Sequence, residues 1–303
     1  LAAAMPAAAS KSPPWMVWMS GEALTGKIDG DGNASSLKYS GGGGAIGFDR
    51  RFRPDLIAGI AGGYSEIGLG AANSLGASNS LGASNSLGRA TAKSYQMSAY
   101  GAWQPSAFNL QGAVGYAYND NAAERPISLG GTSVMARGGT VAHQVLGAIE
   151  AGYGVSIDPR VKAVPFLGLL ASSAYGGGFS ERGAGELSLA VDGGTTNSLR
   201  SIVGLQLLHD ADVGLGALLT LQARVGWAHD FADIARSTGA AFIAAPGPHF
   251  TVEGATLKRD SMLVGFGLAA LLDDALTLSL RYNGALNAAN DSHAVTAALN
   301  WRW

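Results

Sequence analysis

The sequence predicts an all-β protein: a transmembrane antiparallel β-barrel of about 12 strands, with short periplasmic turns and long extracellular loops. Three observations carry that expectation. First, apolar and polar residues alternate with period two in one segment after another. Successive side chains on a pleated backbone point to opposite faces, so this period means strand. Second, hydrophobic residues make up 47% of the 303-residue chain and charged residues only 14%. A soluble domain carries roughly 25% charge, yet no run here approaches the ~20 apolar residues of a membrane helix. Third, the connections between strand candidates alternate between short turns and long polar stretches, as in outer-membrane barrels. Closure supplies the physical reason, because only a closed sheet leaves no unpaired backbone amides facing lipid.

Composition narrows the function classes. The net charge is −2 with 45 glycines and no cysteine. That balance makes no electrostatic case for nucleic acid. Without cysteine there is neither a disulfide framework nor a thiolate metal site. A thiol-free chain suits passage through an oxidising periplasm. On a barrel wall, glycine relieves crowding and allows bends. Residues 1–14 (LAAAMPAAASKSPP) lack a basic leader region and are broken by Pro6, Pro13 and Pro14. They are expected to be a linker, or a residual passenger or signal segment, ahead of a barrel domain over 15–303.

The strands follow in order. A segment rich in Trp and Met predicts a strand over 15–27, and 38–52 predicts a second, running through Gly41–Gly44. Arg53-Pro54-Asp55 turns the chain into a glycine-heavy strand over 56–70. The hexapeptide NSLGAS then occurs twice from Asn73 and begins a third time at Asn85. So few copies cannot stack a β-helix core, so 73–88 is expected to be an expanded loop. Strands over 93–103 and 108–119 flank the turn Gln104-Pro105-Ser106, and a polar, Gly-rich loop is expected up to about Gly139. The longest alternation, 140–157, places Val141, Val145, Ile149, Tyr153, Val155 and Ile157 on one face. After the turn Asp158-Pro159-Arg160 come a strand over 161–175, a loop over 176–197 and a strand over 198–208. A turn over 209–214 leads to a strand over 217–228, and a long connection covers 230–253. A strand over 256–272 and the turn Asp273-Asp274 lead to the two clearest strands, 275–283 and 293–303. In the last of these, Val295, Ala297, Leu299, Trp301 and Trp303 share a face, which suits an aromatic girdle at a membrane–water interface.

A barrel of this many strands is too wide for side chains alone to fill. The polar faces are therefore expected to point inward and the apolar faces outward. The polar set includes Glu150, Arg200, Arg224, Arg281 and Arg302. Glu150, Arg200, Arg224 and Arg281 are read as lumen-facing, with Gly152 and Gly154 beside Glu150 leaving room for a segment of chain. Each charge is expected to be a solvated or ion-paired lumen residue.

Several motifs in the C-terminal half, in this order and spacing, resemble the autotransporter β-domain of type V secretion. They run from Phe179-Ser180-Glu181 with Gly183, Gly185, Leu187 and Val191, to Ser198-Leu199-Arg200-Ser201 and Gly204. Gly226-Trp227-Ala228-His229-Asp230-Phe231, Ala241-Phe242 and the run from Phe250 to Ala255 follow. Lys258-Arg259-Asp260, then Gly265-Phe266-Gly267-Leu268, Arg281-Tyr282 and the aromatic end complete the series. Ala298 stands where that family commonly has glycine. The resemblance implies a monomeric barrel in the bacterial outer membrane, in contact with its lipid. It also implies a linker entering the lumen, an N-terminal passenger exported through or with the barrel, and no cofactor. Trp301 and Trp303 would be the aromatic signal read by the barrel assembly machinery.

Chemistry of other kinds finds little support. The five histidines form no H-x-x-x-H spacing, and His229-Asp230 has no G-x-S-x-G elbow to complete a triad. His143 and His293 fall on outward parities near strand ends. Neither Gly41–Gly44 nor Gly176–Gly178 is followed by G-K-[ST], so no phosphate loop is expected. The chain is thus expected to be a non-enzymatic translocator. A general outer-membrane pore without cargo is the alternative.

Overall fold

The computed structural model describes residues 14–31, 34–71, 88–129, 131–212, 218–232, 234 and 236–303. The chain forms an all-β, closed antiparallel barrel of 12 strands. The strands are β1 (Trp15–Ile28), β2 (Leu37–Arg53), β3 (Leu56–Ala71), β4 (Arg89–Trp103), β5 (Phe108–Leu129) and β6 (Thr132–Tyr153). They continue with β7 (Val161–Gly176), β8 (Gly194–Asp212), β9 (Leu218–Asp230), β10 (Asp260–Leu271), β11 (Leu276–Leu286) and β12 (Asn290–Arg302). Each pairs with its chain neighbours. The ring closes where β1 meets β12, from Met16 opposite Arg302 to Ile28 opposite Asn290. The four residues Val155–Asp158 pair with β7 in the register that β6 already holds, so they extend β6 past a break at Gly154. Among the described residues no helix is long and apolar enough to cross a membrane. The strands cross it instead, and each exceeds or matches the ~9–11 residues that a tilted strand needs.

The barrel is inside out relative to a soluble protein. Outward parities carry Ile60, Met97, Val114, Val145 and Phe266, each at least 60% exposed. Buried positions facing the lumen include Asp49, Glu150, Ser261, Thr277 and Arg302. The alternation read in the sequence therefore maps directly onto lipid-facing and lumen-facing walls.

Three expected loops contain regular structure. The stretch 120–139 is not a loop: β5 and β6 continue as a hairpin, paired from Asn119–Ala142 up to Leu129–Thr132. Gly131 at its tip has φ +83°, a left-handed conformation that glycine adopts without steric cost. The stretches 176–197 and 230–253 supply a four-stranded sheet, in the order Ala245–Glu253, Ser237–Phe242, Leu189–Val191, Phe179–Ser180. The hairpin docks on it through Arg137, which exchanges backbone hydrogen bonds with Arg182. Arg125 forks onto Glu181, with Nε donating at 3.0 Å. Small side chains, Ala136, Ser188, Ala240 and Ala241, are buried there. Above the membrane both faces of a strand meet water or protein, so the apolar/polar alternation that marks the lower strands is absent. In the same extracellular region β8 starts at Gly194, within the expected loop, and at its periplasmic end it runs on to Asp212 through residues read as a turn. The NSLGAS repeat lies outside the described residues, apart from Gly88.

The inverted wall makes a directional prediction. Ile149→Arg, on the lipid face, should lower the unfolding free energy of the vesicle-inserted barrel by roughly 2–4 kcal/mol. Gln96→Arg, on the exposed lumen face, should change it by less than about 1 kcal/mol. Urea titration of tryptophan fluorescence checks both.

Candidate functional site

The lumen is the concave, polar part of the molecule, and three groups of its side chains stand out among the described residues. Near the periplasmic end, Trp18 Nε1 donates to Tyr100 Oη at 2.6 Å, and Tyr100 Oη donates to Asp49 Oδ2 at 2.8 Å. Asp49 is only 3% exposed, and Arg302 lies nearby with 8% exposure. The rings lie across strand positions that have no side chain: a Cβ at Gly47 would strike Trp18, and one at Gly59 would strike Asp49 and Tyr100. Glycine here is the space that the neighbouring strand's aromatic ring occupies.

Midway up, Glu150 and Arg224 form the densest cluster. Arg224 Nη1 donates to Glu150 Oε1 at 3.1 Å, Nη2 pairs with Oε2, and Gln111 Nε2 donates to Oε1 at 3.0 Å. The guanidinium sits 3.6 Å from the centre of the Phe166 ring, an arrangement that favours a cation over a π face. Phe166, Ile202 and Ala228 are buried beneath it, with Leu263 against them. A charge pair shielded this far from water gains from fixed geometry and loses heavily if either partner is removed.

At the extracellular mouth Arg200 donates through Nε at 3.0 Å and Nη2 at 2.6 Å to Asp230 Oδ2. Lys27, at the rim, pairs with Asp29.

Arg281 is on the lumen face of β11, and its Nε is buried without a hydrogen-bond partner; Thr277 Oγ1 on the same face shares that property. Gly152 is on the lumen side of β6. A Cβ there would meet the Asn109 side-chain amide and Val164 Cγ1, each at 3.0 Å, so packing already occupies its space. Gly154 lies at the periplasmic break, its N–H bonded to the Ala107 carbonyl at 2.8 Å. Trp301 and Trp303 stand on the outer face of the seam, 53% and 47% exposed, with ring centroids 5.4 Å apart. Trp303 also meets Phe48, which stacks on Trp15 at 5.0 Å, so both ends of the ring share one aromatic clasp. Sequence reasoning singled out Glu150 and Arg224 separately. It missed Asp49, Trp18, Tyr100 and Gln111, whose only sequence signal is lumen parity.

Comparison with known proteins fits this geometry. The autotransporter β-domain family model matches residues 17–283. The chain belongs to the autotransporter β-domain family. The translocator domain of the autotransporter NalP from Neisseria meningitidis superposes with a TM-score of 0.72 at 16% identity, covering 96% of this chain and 89% of that one. An extracellular serine protease of Serratia marcescens is 24% identical over 92% of this chain and 25% of its own length. Esterase EstA of Pseudomonas aeruginosa is 27% identical over 89% of this chain and 39% of its own length. The chain thus spans a quarter to two-fifths of these relatives. As a member of this family the barrel is an integral outer-membrane protein of Gram-negative bacteria.

The Glu150–Arg224 pair yields a test. Glu150→Ala leaves Arg224 uncompensated and should cost roughly 3–5 kcal/mol. Replacing both by methionine should cost distinctly less, and urea unfolding of the single and double variants measures the difference. Gly152→Leu should cost about 1–3 kcal/mol by overpacking against Asn109 and Val164.

Proposed function

We propose that the barrel is a type V translocator that anchors in the outer membrane and exports a passenger joined ahead of Trp15. In this reading residues 1–14 are the linker and 15–303 the translocator domain. The observation that carries it is the asymmetry of the lumen. The wall from β6 to β9 is filled by Glu150, Phe166, Ile202 and Arg224. The wall from β10 round to β3 presents Gly265, Gly267, Ala269, Ala298, Gly43 and Gly63 on lumen parity, with Trp18, Asp49 and Arg302 nearer its periplasmic end. At mid-height the smaller side chains therefore lie along one side of the lumen. β1 starts at the short-turn, periplasmic end, which is where a linker ahead of Trp15 would have to enter the lumen.

The longer relatives named for a protease and an esterase fit a cargo outside the barrel. The domain itself performs no bond chemistry. Its partners are the outer-membrane lipid, its own linker and passenger, and the barrel assembly machinery, which reads Trp301 on β12 and Trp303 just after it. It works as a monomer.

A tagged passenger fused ahead of Leu1 tests the proposal. Protease added to intact cells should cut the tag while the barrel fractionates with the outer membrane. A tag left in the periplasm behind a correctly inserted barrel would favour a pore without cargo. Ala298→Phe, on the open wall, should reduce tag exposure severalfold while the barrel keeps its folded, heat-modifiable gel mobility.

A further inference from the structure

An aromatic row crosses the outer wall in an unusual direction. Tyr64, Tyr95, Tyr118, His143 and Tyr175 lie directly opposite one another across β3 to β7. Their parity is outward, and the four tyrosines are 38–58% exposed. Ring centroids lie 5.2 Å apart from Tyr64 to Tyr95, 6.3 Å from Tyr95 to Tyr118, and 5.7 Å from Tyr118 to His143. Tyr116 Oη bonds His143 Nδ1 at 2.6 Å and fixes that ring against the wall.

An interfacial girdle lies in the membrane plane. On strands tilted ~40° it must therefore shift register by about one residue per strand. This row keeps constant register, so it climbs. Tyr64 stands eight residues along β3 from Leu56, whereas Tyr175 stands fourteen along β7 from Val161. With strands ~4.8 Å apart and tilted ~40°, the rise over the row is on the order of 12 Å. From a start at the hydrocarbon boundary, a rise of that size carries a row into the headgroup layer.

We infer that this row is a docking platform for the saccharide headgroup of an outer-leaflet glycolipid. Aromatic faces take the C–H faces of sugar rings, and the phenol tips supply hydrogen bonds where one end must be apolar and the other wet. Charge favours sugar over phosphate. The outward row directly above is Glu66, Lys93 and Asp120, opposite one another and exposed, with one net negative charge. Glu66 also accepts the Tyr64 hydroxyl at 3.0 Å. The platform continues the lipid-facing wall of the barrel upward, so its occupant is a molecule whose tails already contact that wall.

The test uses barrel refolded into vesicles of phosphatidylethanolamine and phosphatidylglycerol. One set contains lipopolysaccharide bearing its core sugars, the other saccharide-free lipid A. The readout is the temperature at which folded gel mobility is lost. Core sugars should raise it by several degrees for the unsubstituted protein. Y95A/Y118A/H143A should abolish the shift, whereas Y95F/Y118F, which keeps the ring faces, should retain more than half. Should the triple variant not fold, Y95A alone should lose a measurable part of the shift. An equal response to both lipids, or a full shift in the alanine variants, would overturn the inference. Failure to insert in either membrane would instead count against the barrel's membrane placement.

Discussion

Backbone hydrogen bonding in a solvent without hydrogen bonds governs this structure. In hydrocarbon each unpaired amide or carbonyl costs several kcal/mol, so a sheet survives only if its first and last strands find each other. Here that union is the β1–β12 seam, paired along nearly all of both strands and capped by reciprocal bonds between Trp15 and Trp303. The aromatic clasp of Trp15, Phe48, Trp301 and Trp303 sits on the outside of this seam, where indole and phenyl rings prefer the membrane boundary. The residues that join the two ends of the chain also set its depth in the bilayer.

Once closure is imposed, the lumen inherits the polar half of every strand. That half must satisfy itself without a conventional core. It does so locally, in small knots that bridge two or three strands: Trp18–Tyr100–Asp49 near the bottom, Gln111–Glu150–Arg224 over Phe166 in the middle, and Arg200–Asp230 at the mouth. Each knot brings opposite charges, or an aromatic donor and a carboxylate, into contact across the barrel wall. Together they hold the ring in one cross-sectional shape, which hydrogen bonds between neighbouring strands alone do not specify.

The membrane-embedded strands were legible because lipid on one side and water on the other impose a strict period of two. Strand boundaries at Trp15, Leu56, Trp103, Phe108 and Val161 coincide with turn residues and follow the sequence pattern. The extracellular hairpin of β5 and β6 and the four-stranded sheet were not legible as strands. Residues such as Ala122, Arg125 and Arg137 are there surrounded by protein and solvent, so no face is uniformly apolar. In the lumen, parity identified Glu150 and Arg224 as inward-facing. Their pairing was hidden, because it depends on the register of strands 74 residues apart in sequence. Gly152 illustrates the limit: its parity is inward, but its space belongs to Asn109 and Val164.

Glycine connects these levels. Its abundance suggested a wall that bends, yet at Gly47, Gly59 and Gly204 the missing side chain makes room for a ring from a nearby strand: Trp18, Tyr100 and Phe166 respectively. Those rings thicken the wall where the knots form. At Gly265 and Gly267 the nearest atoms are the polar side chains of Gln222, Arg224 and Asn283, at 3.1 Å or more, with no ring laid across the position. One residue type thus serves two ends. At Gly47, Gly59 and Gly204 it lets a ring pack into the wall, and at Gly265 and Gly267 it keeps the wall low between Arg224 and Arg281.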